Sequence, residues 1–413
     1  MARVPFARVL IAAAVLVALA GCTSDADDTA APPDRGGPTS STEAAVPAAV
    51  EEFTGTLDEF YVVPDPLPAG APGDLIRIQR LDEVDGRVTS RIMYHSTDAS
   101  GRDRAVTGVV THPTGPAPED GWPVVSTAHG TTGIAARCAP SRTGAPARDW
   151  GNGGVAVATD YVGMGPEGEL HPYLSKPSEG NAVIDAVTAV RQLPAAHAGR
   201  RWVSIGHSQG GHGALSAHEL AAERAPELEL VGTVALAPAA MLEKVYGGID
   251  PIVTSVLTMM ALYGGTSEHP DLEPSDYLTA DAQAAASIFD TGCLDEITET
   301  LIPVALAGAF TADPRTTEPA ASMLGANDVG SVAVDDVPVL LASGTVDDRV
   351  VIDRVRDLFT RMCDAGQVTE LHVIDGADHG SVIPATAELV ATWVDARFDG
   401  GTPTDHCGTA AAG

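Results

Sequence analysis

Basic residues are scarce in this chain. Its 413 residues include 56 Asp and Glu against 24 Lys and Arg, and only two of the 24 are lysines. The formal charge of −32 would repel the phosphates of nucleic acids and the headgroups of anionic membranes. We therefore expect no nucleic-acid partner and interpret the acidity as a solvated surface.

Long apolar runs are also lacking, except at the N-terminus. After that segment no stretch reaches the roughly 18 apolar residues that a transmembrane helix needs. The exception has Arg3 and Arg8, an apolar run over Val9–Ala20, and Leu19-Ala20-Gly21-Cys22, which resembles a bacterial lipobox. This pattern predicts a lipoprotein signal peptide over residues 1–21 and lipidation of Cys22. An ordinary cleaved signal, with an incidental cysteine, is the alternative.

Motifs for metals and cofactors are missing as well. The sequence has no H-E-x-x-H, and His207 and His212 are spaced poorly for two ligands on one helix face. A dinucleotide-binding G-x-G-x-x-G turn is not expected either. We therefore predict no metal site and no cofactor.

Cysteines are few. Besides Cys22 there are Cys138, Cys293, Cys363 and Cys407, and an even number in an exported protein favours two disulfides. Four cysteines can be joined into two disulfides in three ways. We favour Cys138–Cys293, which would tie a loop after the first core strand to a later insertion, and Cys363–Cys407, which would fasten the C-terminal tail to a helix.

What the chain does contain is an alternation of strands and helices. Segments near residues 75–81, 88–96 and 105–111 predict antiparallel strands at one edge of a sheet. Buried-strand runs then alternate with helical patterns, one of which has Ser178 as its expected N-cap. The runs lie at Pro123–Thr127, Val155–Thr159, Trp202–Ile205, Val231–Leu236, Pro338–Ala342 and Glu370–Ile374. This alternation predicts an α/β fold with a doubly wound, mostly parallel sheet.

One interval interrupts the alternation. No buried strand is predicted between Ala240 and Val334, so residues 241–334 are interpreted as a helical cap. The cap would divide the core into residues 51–240 and 335–413, and residues 22–50 would form a disordered tether. Within the cap, Met259 and Met260 favour the interior, with a substrate pocket as the alternative. If the cap covers the site, its expected lining is the helical stripe Ile252, Val256, Met259 and Tyr263.

The most specific motif lies between Trp202 and His212. An apolar strand runs into Gly206-His207-Ser208-Gln209-Gly210, and a helical pattern follows, which is the setting of a nucleophile elbow. A serine there needs a histidine base that a carboxylate orients. Of the histidines late in the chain, His372 lies in a strand and His406 in the tail. We therefore predict Ser208 as the nucleophile and His379 as its base.

The orienting carboxylate is expected in the loop after the strand at Pro338–Ala342. Asp347 and Asp348 compete for this role. Asp347 fits a G-x-x-D-x-x-V arrangement, whereas Asp348 is well placed to cap the next helix. We predict Asp347.

An oxyanion intermediate also needs backbone amide donors. One is expected from Gln209, the residue after the nucleophile. The other is expected from the glycine-rich loop His129-Gly130-Thr131-Thr132-Gly133, where we predict Thr131, with Gly130 as the alternative.

Several of these motifs together resemble the secretory lipase family of α/β-hydrolases. They are the His129–Gly133 loop, Cys138-Ala139-Pro140-Ser141, Thr159-Asp160-Tyr161, the Gly206–Gly211 segment and the late acid and histidine. The resemblance runs from about residue 70 to the C-terminus. It implies an α/β-hydrolase fold, carboxylic ester hydrolysis, an inserted cap and two disulfides.

These observations predict an exported lipase or esterase that cleaves acyl esters of lipids or small molecules through an acyl-enzyme on Ser208. A serine peptidase on the same fold is an alternative, disfavoured because no propeller-like repeat precedes the catalytic domain. A lipoprotein that only binds ligands is the other. We expect a monomer that faces outward from the cell membrane through a lipid on Cys22, with release as an alternative.

Overall fold

The computed structural model describes residues 50–168, 170–247 and 251–408. The predicted signal peptide, Cys22 and nearly all of the predicted tether lie outside these ranges. No helix within the three ranges combines the length and apolar character required to cross a bilayer.

One twisted sheet organises the described residues. Its strands lie side by side in the order β1-β2-β3-β4-β6-β5-β7-β8-β9-β10, where the numbers follow the chain. Neighbours from β6 to β10 pair in parallel, whereas β2, β3 and β4 are antiparallel and β4 joins β6 antiparallel. The predicted fold class and its antiparallel edge are thus confirmed. The strands are β1 (Glu51–Glu52), β2 (Leu75–Val84), β3 (Arg87–Thr97), β4 (Asp103–Pro113), β5 (Trp122–Ala128), β6 (Val155–Thr159), β7 (Ala198–His207), β8 (Glu229–Leu236), β9 (Val339–Gly344) and β10 (Thr369–Ile374).

Helices cover both faces of the sheet. They are α1 (Leu57–Phe60), α2 (Lys176–Arg191), α3 (Gln209–Arg224), α4 (Pro251–Gly265), α5 (Ala280–Ala285), α6 (Leu294–Ala307), α7 (Ala320–Ala326), α8 (Ile352–Asp364), α9 (Val382–Ala385) and α10 (Ala387–Phe398). Because side chains alternate along a strand, Val124 and Trp202 pack in the cluster that contains α2 and α3. Their neighbours Val125 and Val203 pack with α10 on the other face.

One local prediction, the N-cap of α2, is wrong. Helix α2 begins at Lys176, so its N-cap is Ser175, whose Oγ accepts the amide of Ser178. Pro177 explains the earlier start, since proline lacks an amide and fits the first turn of a helix. Residues Gly163–Gly168 do spell G-x-G-x-x-G, but they form turns and bends instead of opening a helix, as a dinucleotide site requires.

The segment between β8 and β9 is helical where it is described. It holds α4, α5, α6 and α7, and its described residues form two isolated bridges, one between Leu278 and Phe310 and one between Cys293 and Gly133 of the loop after β5. A separate hydrophobic cluster fills it, with Met259, Tyr277 and Phe289 almost completely buried. The proposed cap boundaries at residues 241 and 334 stay a prediction.

Both favoured disulfides are present. Cys138–Cys293 joins the loop after β5 to the residue that precedes α6. Cys363–Cys407 joins α8 to the C-terminal tail. The first bridge fastens the helical segment to the loop that carries the predicted oxyanion residues.

Candidate active site

Ser208 lies at the sharp turn between β7 and α3. Its backbone has φ 59° and ψ −121°, a combination that residues with a side chain adopt rarely and that is typical of functional turns. A Cβ on Gly206 would overlap the carbonyl of Gly210, and a Cβ on Gly210 would overlap the carbonyl of Ala128. The two flanking glycines therefore let the chain turn tightly enough to present the serine.

His379 and Asp347 meet beyond the ends of two neighbouring strands, β10 and β9. His379 Nδ1 lies 2.8 Å from Asp347 Oδ2. The other carboxylate oxygen accepts the amides of Arg349 and Val350, each at 2.9 Å. Asp347 is 3% exposed. The carboxylate is thus held on both sides, and it fixes the orientation of the imidazole.

Asp348, the alternative acid, is exposed to solvent. It also fails to cap the next helix as expected, because α8 begins at Ile352 and its N-cap, Val351, has no side-chain bond. Asp347 stabilises the loop before α8 instead, since its carboxylate accepts the backbone amides of Arg349 and Val350, two and three residues later in the chain.

Ser208 and His379 line one cavity of about 770 Å³. Among the hydrogen bonds of the described residues, the His379 ring takes part in the one with Asp347 and in none with Ser208. Serine–histidine bonds of this kind are often long until substrate binds. A hydrogen bond between Ser208 and His379, which their predicted roles as nucleophile and base require, stays a prediction.

His207 supports the His379 loop, a role that sequence analysis missed. Its Nε2–H donates to the carbonyl of His379 at 2.7 Å, and the centroids of the two imidazole rings lie 4.5 Å apart. Burial and the neighbouring His379 lower the pKa of His207 to about 4. His207 is therefore neutral at pH 7 and adds no second charge beside His379.

One predicted oxyanion residue follows the serine in the chain, and the other belongs to a loop that passes beside it. A Cβ on Gly130 would lie 3.9 Å from Ser208 Cβ, so the loop that carries Thr131 runs beside the nucleophile. Thr131 Oγ1 shares a 2.8 Å hydrogen bond with Tyr173 Oη. Gln209 is the first residue of α3, where backbone amides have no partner within the helix.

The cavity wall opposite the elbow comes from the helical segment. Helix α4 contributes Val253, Thr254 and Leu257, whereas Val256, Met259 and Met260 lie in that segment's own core. The prediction that the two methionines lie in the interior is confirmed. The prediction that the stripe Ile252, Val256, Met259 and Tyr263 lines the cavity is wrong. Helical spacing identifies an apolar face but does not say whether that face meets a pocket or a core. The rest of the apolar and charged lining includes Leu174, Ala239, Leu294, Asp295, Glu299, Ile302, Arg349, Val350 and Arg354.

A buried polar network lies behind the elbow, and sequence analysis missed it too. Glu179 of α2 contacts His212 Nδ1 at 2.7 Å and Gln209 Nε2 at 2.8 Å, and all three residues have no exposed surface. Burial alone would raise the pKa of Glu179, but the His212 charge and the hydrogen bonds to this carboxylate bring it to about 2. One signal was present: Glu179 lies four and eight residues before Val183 and Val187, on the apolar stripe of α2.

No cluster of three or more His, Cys, Asp or Glu side chains within the described ranges could hold a metal ion.

Comparisons with known proteins agree with this architecture. The fold is similar to that of lipase A from Candida antarctica in its closed state, with a TM-score of 0.71 at 20% identity over 85% of this chain and 87% of that one. It is also similar to a rice cell wall degrading esterase from Xanthomonas oryzae, with a TM-score of 0.68 at 18% identity over 81% and 100%. Such identities show the fold alone, which is the α/β-hydrolase fold.

Sequence relatives and a family model narrow the relationship. Lipase 2 of Candida albicans is 26% identical over 276 residues, which are 62% of this chain and 58% of that protein. Lipase 10 of the same yeast is 25% identical over 275 residues. The chain thus spans less than two thirds of the curated relatives it matches. The secretory lipase model matches residues 148–406, more than half of the chain. The chain therefore belongs to the secretory lipase family.

Proposed function

We propose that this protein is a serine hydrolase that cleaves carboxylic esters through an acyl-enzyme on Ser208. One observation carries the proposal: a strained serine at a strand-to-helix turn shares a cavity with a histidine that a buried carboxylate orients. This arrangement supports nucleophilic acyl transfer, because each of the three groups supplies what a serine hydroxyl lacks by itself.

In the proposed reaction, Ser208 Oγ attacks the ester carbonyl while His379 Nε2 accepts its proton. Asp347 stabilises the imidazolium that results, since it already holds Nδ1. The amides of Gln209 and Thr131 donate to the oxyanion of the tetrahedral intermediate. The imidazolium then protonates the leaving alcohol. Water attacks the acyl-enzyme with His379 as base, and the acid product leaves.

The cavity supports a lipid or other apolar ester as substrate. Its volume of about 770 Å³ lies within the usual range of small-molecule sites, roughly 300–1,000 Å³. Leu257, Ile302 and Val350 give it apolar walls. The lipase and esterase names of the related proteins favour the same substrate class.

Turnover of p-nitrophenyl esters from acetate to palmitate tests the proposal, with Ser208→Ala as the matched variant. Wild-type protein should hydrolyse the series, and Ser208→Ala should lose several orders of magnitude in kcat while it stays folded, because triad members act as a unit. A folded variant that keeps more than about a tenth of the activity would refute the assignment of Ser208. Cleavage of peptides but not esters would favour a peptidase.

Family membership implies an exported protein, and we further propose that a lipid on Cys22 anchors it to the outside of the cell membrane. The support is the lipobox-like sequence at Leu19–Cys22. Radiolabelled palmitate should be incorporated into the wild-type protein, and Cys22→Ala should remove the label. Equal labelling of the two forms would contradict the anchor.

A further inference from the structure

The protonation of His212 follows from its partners. Its Nδ1 lies 2.7 Å from a carboxylate oxygen of Glu179, and its Nε2 lies 2.8 Å from the carbonyl oxygen of Asn327. Both neighbours only accept hydrogen bonds, so both ring nitrogens must carry a proton. Burial lowers the pKa of His212, but the Glu179 charge outweighs it and leaves the pKa raised. His212 and Glu179 therefore form an imidazolium–carboxylate pair with no exposed surface.

The second oxygen of Glu179 binds the Gln209 side chain and the segment next to Tyr173. Oε1 accepts the Gln209 side-chain amide at 2.8 Å and the Leu174 backbone amide at 3.0 Å. Gln209 Nε2 also contacts His171 Nε2 at 2.7 Å, so both of its amide protons are used. The residue before Leu174 is Tyr173, which is bonded to Thr131. The buried carboxylate of Glu179 thus binds the Gln209 side chain directly and is linked to Thr131 indirectly, through Leu174 and Tyr173.

We propose that the Glu179–His212 pair is a positioning unit that holds the Gln209 and Thr131 amides where the oxyanion forms. This inference rests on the proposed function, since it assigns no new reaction. Neither residue lines the cavity, so neither touches substrate. Both act through the segments they fasten: the first turn of α3, the loop at Tyr173–Leu174 and Asn327 at the end of α7.

The same two helices supply a matched control. Asp185 of α2 is also a buried acid, and it pairs with Arg224 of α3 at 2.6 Å. Arg224 follows Ser208 by 16 residues, about 24 Å of helix, whereas His212 is one turn away. Truncating either acid breaks an α2–α3 ion pair in which the acid is buried, but only Glu179 lies behind the elbow.

The experiment compares wild type, Glu179→Ala and Asp185→Ala at a temperature where all are folded by circular dichroism. The readouts are kcat and KM for p-nitrophenyl butyrate, the affinity for a boronic acid that mimics the tetrahedral intermediate, and the rate of fluorophosphonate labelling of Ser208. We expect Glu179→Ala to lower kcat, boronate affinity and labelling rate about 10- to 100-fold with KM within about threefold, because small displacements of oxyanion donors are costly. Asp185→Ala should keep all four within about twofold of wild type.

Two further variants separate positioning from general loss of structure. Glu179→Gln keeps acceptors for Leu174 and Gln209 and can donate to a neutral His212, so it should recover most of the lost kcat. Gln209→Ala keeps the backbone amide but removes its tether, and should lower kcat about 10-fold. This variant decides the matter if Glu179→Ala does not fold, because it leaves the ion pair intact.

The proposal is overturned if folded Glu179→Ala, or Gln209→Ala in its place, keeps kcat and labelling rate within twofold of wild type. It is also overturned if Asp185→Ala shows the same losses. A wild-type protein that is labelled at Ser208 but hydrolyses no ester would refute the proposed function alone, and the labelling rates would still decide the positioning role.

Discussion

The two walls of the cavity are built on different principles. On one side, Ser208 is placed by backbone contacts so close that Gly206 and Gly210 leave no room for a side chain. On the other side, α4 and α6 pack in a hydrophobic cluster that the helical segment supplies for the most part. We call the side with Ser208 the elbow wall and the side with α4 and α6 the helical wall. Close backbone contacts and the buried Glu179–His212 ion pair stabilise the elbow wall, whereas apolar packing stabilises the helical wall.

Several contacts connect the two walls, besides the hydrogen bond of His212 to Asn327 and the apolar side chains of Ile134 and Tyr173 that pack into the cluster of the helical segment. The Cys138–Cys293 disulfide fastens α6 to the loop beside the serine. Glu268, just after α4, accepts the Ser175 hydroxyl at 2.7 Å and the Ala99 amide at 3.1 Å. The comparison teaches that the elbow depends mainly on close backbone contacts and buried polar groups, whereas the surface that faces it depends mainly on apolar packing.

The largest effect is expected at the acid of the elbow wall. Asp347→Asn should lower kcat about 10³- to 10⁴-fold, because an amide no longer stabilises the imidazolium or fixes its tautomer. Asp348→Asn, the matched exposed neighbour, should stay within a few-fold of wild type. Ester kinetics at saturating substrate measure both, and the opposite order would exchange the roles of the two aspartates.

Glycine substitutions probe the steric difference between the walls. Gly210→Ala should destabilise the protein by about 3 kcal/mol or more, because the added methyl group meets the carbonyl of Ala128. Gly325→Ala in α7 has open space around its Cβ and should be neutral or stabilising by up to about 1 kcal/mol. Urea unfolding measures both values. Comparable losses would mean that the elbow is no more constrained than the helical segment.

Two substitutions in α4 separate the core of the helical wall from its lining. Met259→Ala should cost about 2–5 kcal/mol of stability with little change in chain-length preference, because Met259 is fully buried. Leu257→Ala should instead lower kcat/KM for octanoate several-fold more than for acetate, since each buried methylene is worth about 0.8 kcal/mol. Thermal melts and an ester series distinguish them. The reverse pattern would restore the methionines as pocket lining.

The smallest effect concerns the pH dependence of the buried pair. The pKa of Glu179 falls from 4.5 to about 2 on folding, so its contribution is present above pH 4.5 and is lost as the pH falls toward 2. The pKa of His212 rises above 6.5, so its contribution is present below pH 6.5 and is lost as the pH rises through the folded-state value. Relative to Glu179→Gln, wild type should be favoured most between about pH 4.5 and 6.5, by roughly 1–3 kcal/mol.

Urea unfolding from pH 3 to 9 measures this dependence. Asp313→Asn, which alters the partly exposed pair with Arg315 beside the helical wall, is the control and should leave the profile nearly unchanged. A stability difference between wild type and Glu179→Gln that does not vary with pH would show that the pair is not charged as inferred.

Local patterns in the sequence were enough for the strands and for the elbow. Each predicted strand is present, because period-two alternation and short apolar runs report burial directly. Asp347 and His379 could be chosen because strand ends in a parallel sheet meet at one edge, and the structure brings them to 2.8 Å. Their catalytic roles remain proposals until the variants are measured.

The sequence by itself determined the strands of the sheet, its antiparallel edge, the elbow at Ser208 and the position of Asp347 and His379 just beyond strand ends, since these features depend on neighbours along the chain. Only the tertiary structure decided which face of α4 meets the cavity, that His207 supports His379, and that Glu179 pairs with His212. Glu179 and His212 are 33 residues apart and belong to different helices. Their pairing depends on how α2 packs against α3. Hydrophobic periodicity identifies the buried face of each helix, but it does not specify which side chains of the two faces come into contact.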